Sequence, residues 1–406
     1  MGFIWFWLVA VMIVGYVVLD GFDLGVGVLH LFLARTEAER RATLASIGPV
    51  WDGNEVWLLA GGGTLYFAFP LLYASAFSGF YLPLMIVLWL LILRGISLEL
   101  RNHIEVGVWR SLLDGVFGLS SALLTIFFGA ALANVLRGVP LQADGYFFLP
   151  LWTNWQPGVH PGILDWYTVI GGLVALVALT MHGALWLVIK TSSELGRRAN
   201  RIVTPLWLLL AALTVASLIA TIVVRPQSLN NYFNYPITFA MPVGVVASLA
   251  GVWILNRKQQ PVRAFLCSCL YLFFMLAGAC WGLYPTLLPA STGVDRDITL
   301  SRALSGPHTL AVGLAWWIFG MTLAVGYVVF VYSKFRGKVD LLSDGHCGQN
   351  SGWERGAPHP QRTLQRSSFF SWTYREGPTV KSSRHWTSPQ SRLNTGVKRQ
   401  GLGIRD

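Results

Sequence analysis

Residues 11–34, VMIVGYVVLDGFDLGVGVLHLFLA, and residues 48–70, GPVWDGNEVWLLAGGGTLYFAFP, are two apolar runs that each carry a pair of acids. The first pair is Asp20 and Asp23, the second Asp52 and Glu55. An acid in the hydrocarbon of a bilayer costs about 2.5–3.5 kcal/mol on insertion scales, so such residues are rare and mark pathways or partners. Both pairs are spaced i, i+3, which puts the two carboxyls of a pair on one helix face. A proton or cation path between packed helices needs titratable oxygens in a line, shielded from lipid. The plainer reading is that these acids cap helix ends or bond to neighbouring helices. The four form the candidate site, as a proton route; no catalytic residue and no metal site is expected in this chain.

The composition puts the whole chain in a membrane. Of 406 residues, 54% are hydrophobic and only 12% charged, the mean hydropathy is +0.54 and there are 18 Trp. A soluble protein carries about 25% charge. Cys267, Cys269, Cys280 and Cys347 offer no ligand set, and the first two read as small hydrophobes packed in an apolar helix. The chain opens directly on a long apolar segment, with no basic n-region and no A-x-A site, so no cleavable signal is expected.

A helix needs about 20 apolar residues to cross the hydrocarbon. Nine runs qualify: about 3–33, 48–70, 75–96, 112–136, 163–189, 203–224, 236–255, 262–285 and 308–332. The first is long enough to tilt or to extend past the bilayer. The second contains Gly61, Gly62 and Gly63, which permit close packing or local unwinding inside a protein. Sixteen basic residues fall in alternate loops and after the last span: Arg35, Arg40, Arg41; Arg94, Arg101, Arg110; Lys190, Arg197, Arg198, Arg201; Arg257, Lys258, Arg263; Lys334, Arg336, Lys338. The other loops hold four: Arg137, Arg225, Arg296 and Arg302. Cytoplasmic loops are the basic ones, so the N-terminus is expected outside and residue 338 inside. All four acids then sit on the inner halves of their helices. The basic excess is a topology signal, and no nucleic acid is expected as a partner. The longer outer loops, 137–162 and 286–307, are rich in turn residues, and aromatics crowd the first. The fold class is therefore an all-α, polytopic membrane protein over residues 1–338, with about nine helices in bundles. From Asp340 the apolar spans stop and Ser, Arg, Pro, Gln and Gly dominate. Residues 339–406 read as a disordered tail, or as the product of a shifted reading frame after a natural-looking end at RGKVDL (336–341).

Histidines are candidate haem ligands in such a chain. His30, His103, His160, His182 and His308 lie in or near membrane segments. His182, in LTMHGALWL (179–187), is placed most like a ligand, but it lacks a partner at similar depth, and a hydrogen-bonded packing role is the simpler reading. His308 reads as a helix cap. Trp51 either docks against a partner or anchors at the interface. Arg94 and Arg101 either balance the acids or mark the cytoplasmic surface. A proton- or cation-coupled secondary transporter would also use midplane acids and broken helices, although no paired broken segments are visible. A free-standing membrane cytochrome is the third class.

DGFDLGVG (20–27) with PVWDGNEVWL (49–58), joined by SGFYLP (78–83), LRGISLELR (93–101) and NVLRGVP (134–140), resembles subunit II of the cytochrome bd quinol oxidases, nearest the cyanide-insensitive branch. The resemblance covers roughly residues 1–335 and is strongest over the first 140. It implies a respiratory terminal oxidase of the bacterial inner membrane that reduces dioxygen to water with quinol. It further implies that haem b and haem d lie in a partner, subunit I, which this chain stabilises. A small accessory subunit, and a structural quinone or lipid, go with such a complex. Carried over by motif, Asp20, Asp23 and Asp52 would line a proton route from the cytoplasm toward the haem site. Members of the family can carry Gln at the position of Glu55; an amide orients water but takes up no proton.

Overall fold

Thirteen helices account for most of the described chain, and almost every one begins or ends where Pro, Gly or a capping residue permits. The computed structural model describes residues 1–339 except 105, 192 and 193. All of these residues belong to one compact unit; the expected tail lies outside them. In chain order the helices are α1 (Gly2–Leu33), α2 (Glu37–Ala45), α3 (Trp51–Ala68), α4 (Pro70–Gly79), α5 (Tyr81–Leu100), α6 (Gly107–Arg137), α7 (Trp166–Lys190), α8 (Glu194–Val224), α9 (Asn230–Asn234), α10 (Ala240–Arg257), α11 (Pro261–Leu283), α12 (Leu300–Ala303) and α13 (Pro307–Lys334).

Eight of them, among the described residues, are long and apolar enough to cross a membrane: α1, α5, α6, α7, α8, α10 with the 3-10 turn before it, α11 and α13. The remaining expected span is α3. Its 18 residues reach about 27 Å at 1.5 Å per residue, but Asp52, Asn54 and Glu55 keep its hydropathy below that of the others. The expected third span, 75–96, is shifted. Pro70 opens α4 at its first turn, Phe80 breaks the helix, and α5 then runs to Leu100. Segment 34–47, read as a plain polar loop, contains α2. Thr36 accepts from the Glu39 amide while the Glu39 carboxylate accepts from the Thr36 amide, the reciprocal N-terminal box that T-x-x-E encodes.

The spans form two four-helix groups. In the first, α1 packs on α3 and α6, and α5 on α6; in the second, α7 packs on α8 and α11, and α10 on α11. Helices α1 and α6 join the two by lying against α7, and the closest approach is between α1 and α7. The backbones there approach so closely that a Cβ on Gly25 would stand 1.9 Å from the Leu179 carbonyl oxygen, and one on Gly183 would stand 2.4 Å from the Gly25 carbonyl carbon. Small residues at such a crossing replace the missing hydrophobic drive with van der Waals contact. Helix α13 lies outside both groups with Leu310 as its one buried residue.

The outer loops are ordered by packing. Val139, Leu141, Phe147, Leu149, Leu288 and Ile298 are buried against the first turns of α1 and the α3–α4 junction. A two-stranded antiparallel pair, β1 (Thr286–Leu288) with β2 (Ile298–Thr299), ties the second loop down.

Candidate functional site

Asp20 lies mid-way along α1 with no exposed surface, and Arg94 of α5 meets it with the same complete burial. The guanidinium donates from Nη1 to Asp20 Oδ2 at 3.0 Å and from Nη2 to Oδ1 at 2.5 Å. This parallel fork is the strongest pairing a carboxylate makes. Glu55, one helix over on α3 and part-exposed, places Oε2 3.9 Å from Arg94 Nη1. The arginine therefore balances the acids, the first of the two roles its sequence position allowed.

Asp23, three residues on and equally buried, has no ion-pair partner among the described residues. Asn54 of α3 donates from Nδ2 to Asp23 Oδ2 at 2.7 Å and to the Leu19 carbonyl at 3.1 Å. The Tyr332 hydroxyl of α13 donates to Asn54 Oδ1 at 2.9 Å. Among the described residues, Asp23 Oδ1, Arg94 Nε and Tyr16 Oη have no hydrogen-bond partner although buried. Orphaned polar atoms gathered in one place are satisfied by water in native proteins.

Asp52 stands apart. It is exposed and heads a stripe with Val56, Leu59, Gly63 and Tyr66, all exposed on one face of α3, while Asn54, Gly61, Thr64 and Ala68 form the buried face. Of the four expected acids, then, Asp20, Asp23 and Glu55 are brought together and Asp52 faces outward. Both tryptophans beside the second pair pack inward: Trp51 rests against α5 beside Gly95, and Trp57 against α1 at Gly15.

Asn54, Arg94 and Tyr332 complete the cluster, and the acids alone did not point to Asn54 or Tyr332. Asn54 carried a signal, being a polar residue on the same apolar run as Asp52 and Glu55. Tyr332 carried none.

A second buried network sits at the α1–α2 end. Asp114 of α6 accepts from Arg101 Nε at 2.5 Å and from Arg40 Nη1 at 3.0 Å, and His30 Nε2 lies 2.8 Å away. Arg101 also forks onto Glu37 at 3.1 and 3.0 Å, and Arg198 of α8 pairs with Glu39 at 2.5 Å. Burial alone would raise the Glu37 carboxyl, but the Arg101 fork and then Arg41 outweigh it and hold it below the ordinary range. At the opposite end Arg137 and Asp165 form a buried ion pair, and Asp165 also caps α7 through Thr168.

His182, the histidine placed most like a haem ligand, is engaged in packing. His182 lies within hydrogen-bond distance of the Ser268 hydroxyl through Nδ1 at 2.6 Å and donates from Nε2 to the Val18 carbonyl at 3.0 Å, its ring stacked on Phe265. Both nitrogens are engaged, in line with a packing role. His308 does not cap α13: Gly306 is the cap residue and no side chain bonds there. Among the described residues, no three His, Cys, Asp or Glu gather as metal ligands.

The chain matches the family described as cytochrome bd terminal oxidase subunit II over residues 1–335. It is similar to the cytochrome bd-I ubiquinol oxidase subunit 2 of Escherichia coli (strain K12), 32% identical over 364 residues that cover 83% of this chain and 94% of that one. It is similar also to the cytochrome bd ubiquinol oxidase subunit 2 of Bacillus subtilis (strain 168), 30% identical over 341 residues, covering 83% and 96%. In fold it is similar to a chain of the bd oxidase from Geobacillus thermodenitrificans, with TM-score 0.64 and 18% identity over 82% of this chain and 98% of that one. The secondary-transporter reading finds no support in these relatives. The chain belongs to the cytochrome bd terminal oxidase subunit II family: it is a multi-pass bacterial membrane protein and one subunit of a haem-containing quinol oxidase, made to sit beside a subunit I.

Proposed function

We propose that this subunit supports a partner that holds haem b and haem d, and that its acids carry protons from the cytoplasmic face toward the partner's oxygen-reducing site. Dioxygen reduction to water consumes protons. Taking them from inside while quinol, the electron donor, is oxidised outside charges the membrane without a pump. The observation that carries the reading is the cluster of three carboxyls, two of them fully buried and the third part-exposed, near one guanidinium. It holds more acid than Arg94 can balance, in a place where an unneeded acid is expensive.

The roles divide by environment. Asp52 lies on the exposed stripe of α3, and Glu55 lies one turn inward within reach of Arg94. Asp20 supplies the fixed negative charge that pairs Arg94. Asp23, without a cation, is the carboxyl free to exchange. The exposed stripe, flanked by α5 and α13, is the face for subunit I: an acid heading an apolar stripe is better covered by protein than by lipid. An open cleft of about 650 Å³ between α1, α3 and α13, lined by Trp5, Phe67, His308 and Trp317 among others, has room for the apolar chain of a structural quinone or lipid. A small accessory subunit would add to the assembly from outside this chain.

The test is made on the assembled complex. Asp52→Asn and Asp23→Asn keep shape and remove the proton-carrying group. Each should leave haem content normal and slow oxygen uptake, with Glu55→Gln milder. Normal turnover per haem in both Asp variants rejects the proton-route role and leaves the acids structural.

A further inference from the structure

Asn54 makes three of the four hydrogen bonds its amide can form. Both Nδ2 hydrogens go to acceptors, Asp23 Oδ2 and the Leu19 carbonyl, and Oδ1 accepts from Tyr332. Because two acceptors face one end of the amide and a hydroxyl donor faces the other, the orientation is set by the network rather than by choice. Remove the Tyr332 hydroxyl and that orientation loses its lock. The two acceptors still draw N–H toward Asp23, but Oδ1 is left buried without its donor and the amide is less firmly held, so the ionised carboxyl loses part of its support.

Tyr332 is the contributor from α13, the least buried of the long apolar helices. That helix is held at its end near Tyr332 by Lys190, whose ammonium bonds the Phe335 carbonyl and lies 3.4 Å from that of Gly337. Trp186 packs beside the Tyr332 ring at 6.3 Å. The ring is part-exposed, so its hydroxyl lies between the surface and the buried amide. The charged groups around Asp23 are Asp20 on its own helix, Arg94 on α5 and Glu55 on α3; none of them touches the Tyr332–Asn54 link.

We propose that Asn54 and Tyr332 are positioning residues for Asp23: the hydroxyl on α13 locks the amide on α3, and the locked amide presents N–H to Asp23 and so supports its ionised form. This rests on the proton-route reading and adds to it the element that controls release. Helix α13 then acts as a lid whose docking sets proton exchange at a carboxyl it never touches.

The test uses Tyr332→Phe in the complete oxidase, which keeps the ring and removes the donor. Haem content should be normal. Oxygen uptake per haem should fall about two- to tenfold, the span of one lost hydrogen bond. The infrared spectrum should gain a protonated-carboxyl band that is absent from the Tyr332→Phe, Asp23→Asn double variant. Unchanged uptake, or no such band, overturns the proposal. If Asp23→Asn alone is slow while Tyr332→Phe is normal, only the positioning claim fails; if Asp23→Asn is normal, the route itself fails. Should Tyr332→Phe not assemble, Asn54→Ser breaks the same link from the other side, and the same two readings decide.

Discussion

Asp20 and Arg94 are both fully buried and joined by two hydrogen bonds, so neither can be changed alone without stranding the other. Leaving one charge of a buried pair uncompensated costs about 3–5 kcal/mol. Arg94→Gln should therefore lower the yield of haem-loaded complex sharply. Asp20→Asn together with Arg94→Gln should recover much of that yield, because an amide pair can bond across the same gap. Haem per chain after purification reads this directly, and a double variant as poor as Arg94→Gln alone would show that the pair is not what the arginine serves. Oxygen uptake in the double variant then separates the two roles of Asp20. Normal turnover makes it a structural counter-ion, and slow turnover makes it part of the route. Much of this was legible at the residue level. The four acids, their spacing and the candidate arginine all stand in the sequence. The direction Asp52 faces was not, because i, i+3 spacing places two acids on one side of a helix without saying which side meets the neighbour.

Helix α2 shows the same limit one scale up. Its T-x-x-E signature was readable, but a short polar segment between two long apolar runs looks like a loop until its partners are known. Those partners come from α5, α6 and α8, far along the chain. Arg101 joins Glu37 to Asp114, and Arg198 holds Glu39. Glu37 and Glu39 are both held below the ordinary range, Glu37 by Arg101 against the effect of burial, Glu39 by the Arg35 amide and Arg198 against the same effect. A carboxyl whose folded value is depressed stabilises at pH above its unfolded value, about 4.3 for Glu. That contribution is lost as pH falls through the lower folded value. Glu37 is well exposed, so the contribution is at most about 1 kcal/mol. Glu37→Gln should lower the thermal midpoint of the complex slightly at pH 7. The gap to the unaltered protein should close as the pH is taken below about 4. A gap that stays constant across that range would mean that the side chain acts by packing and not by charge.

At the scale of the whole molecule, the parity of the spans and the side they face are separate questions. Contacts between ends settle the parity. The last turns of α1 and α5 meet α2 and the first turns of α6 and α8 through the Asp114 and Glu39 networks, and Lys190 at the end of α7 meets the end of α13. Arg137 at the end of α6 meets Asp165 at the start of α7, and Ser305 before α13 bonds the end of α3, all at the opposite pole. Alternation along the chain therefore requires α3 to span, though its acids leave it short of the composition of the others. The side is an expectation that rests on the loops in which basic residues fall. Fifteen of the twenty Lys and Arg in residues 1–339 fall in loops or helix ends of the α2 pole, Arg94 being buried against Asp20 inside the bundle, and cytoplasmic loops are enriched in Lys and Arg. Reporter fusions ending at residue 145, in the first long outer loop, and at residue 195, at the start of α8, should report opposite sides of the membrane, with 145 outside. The same side for both would break the nine-span order. Opposite sides with 145 inside would keep that order and reverse the charge rule, and Asp20, Asp23, Asp52 and Glu55 would then lie in the outer halves of their helices, out of reach of cytoplasmic protons.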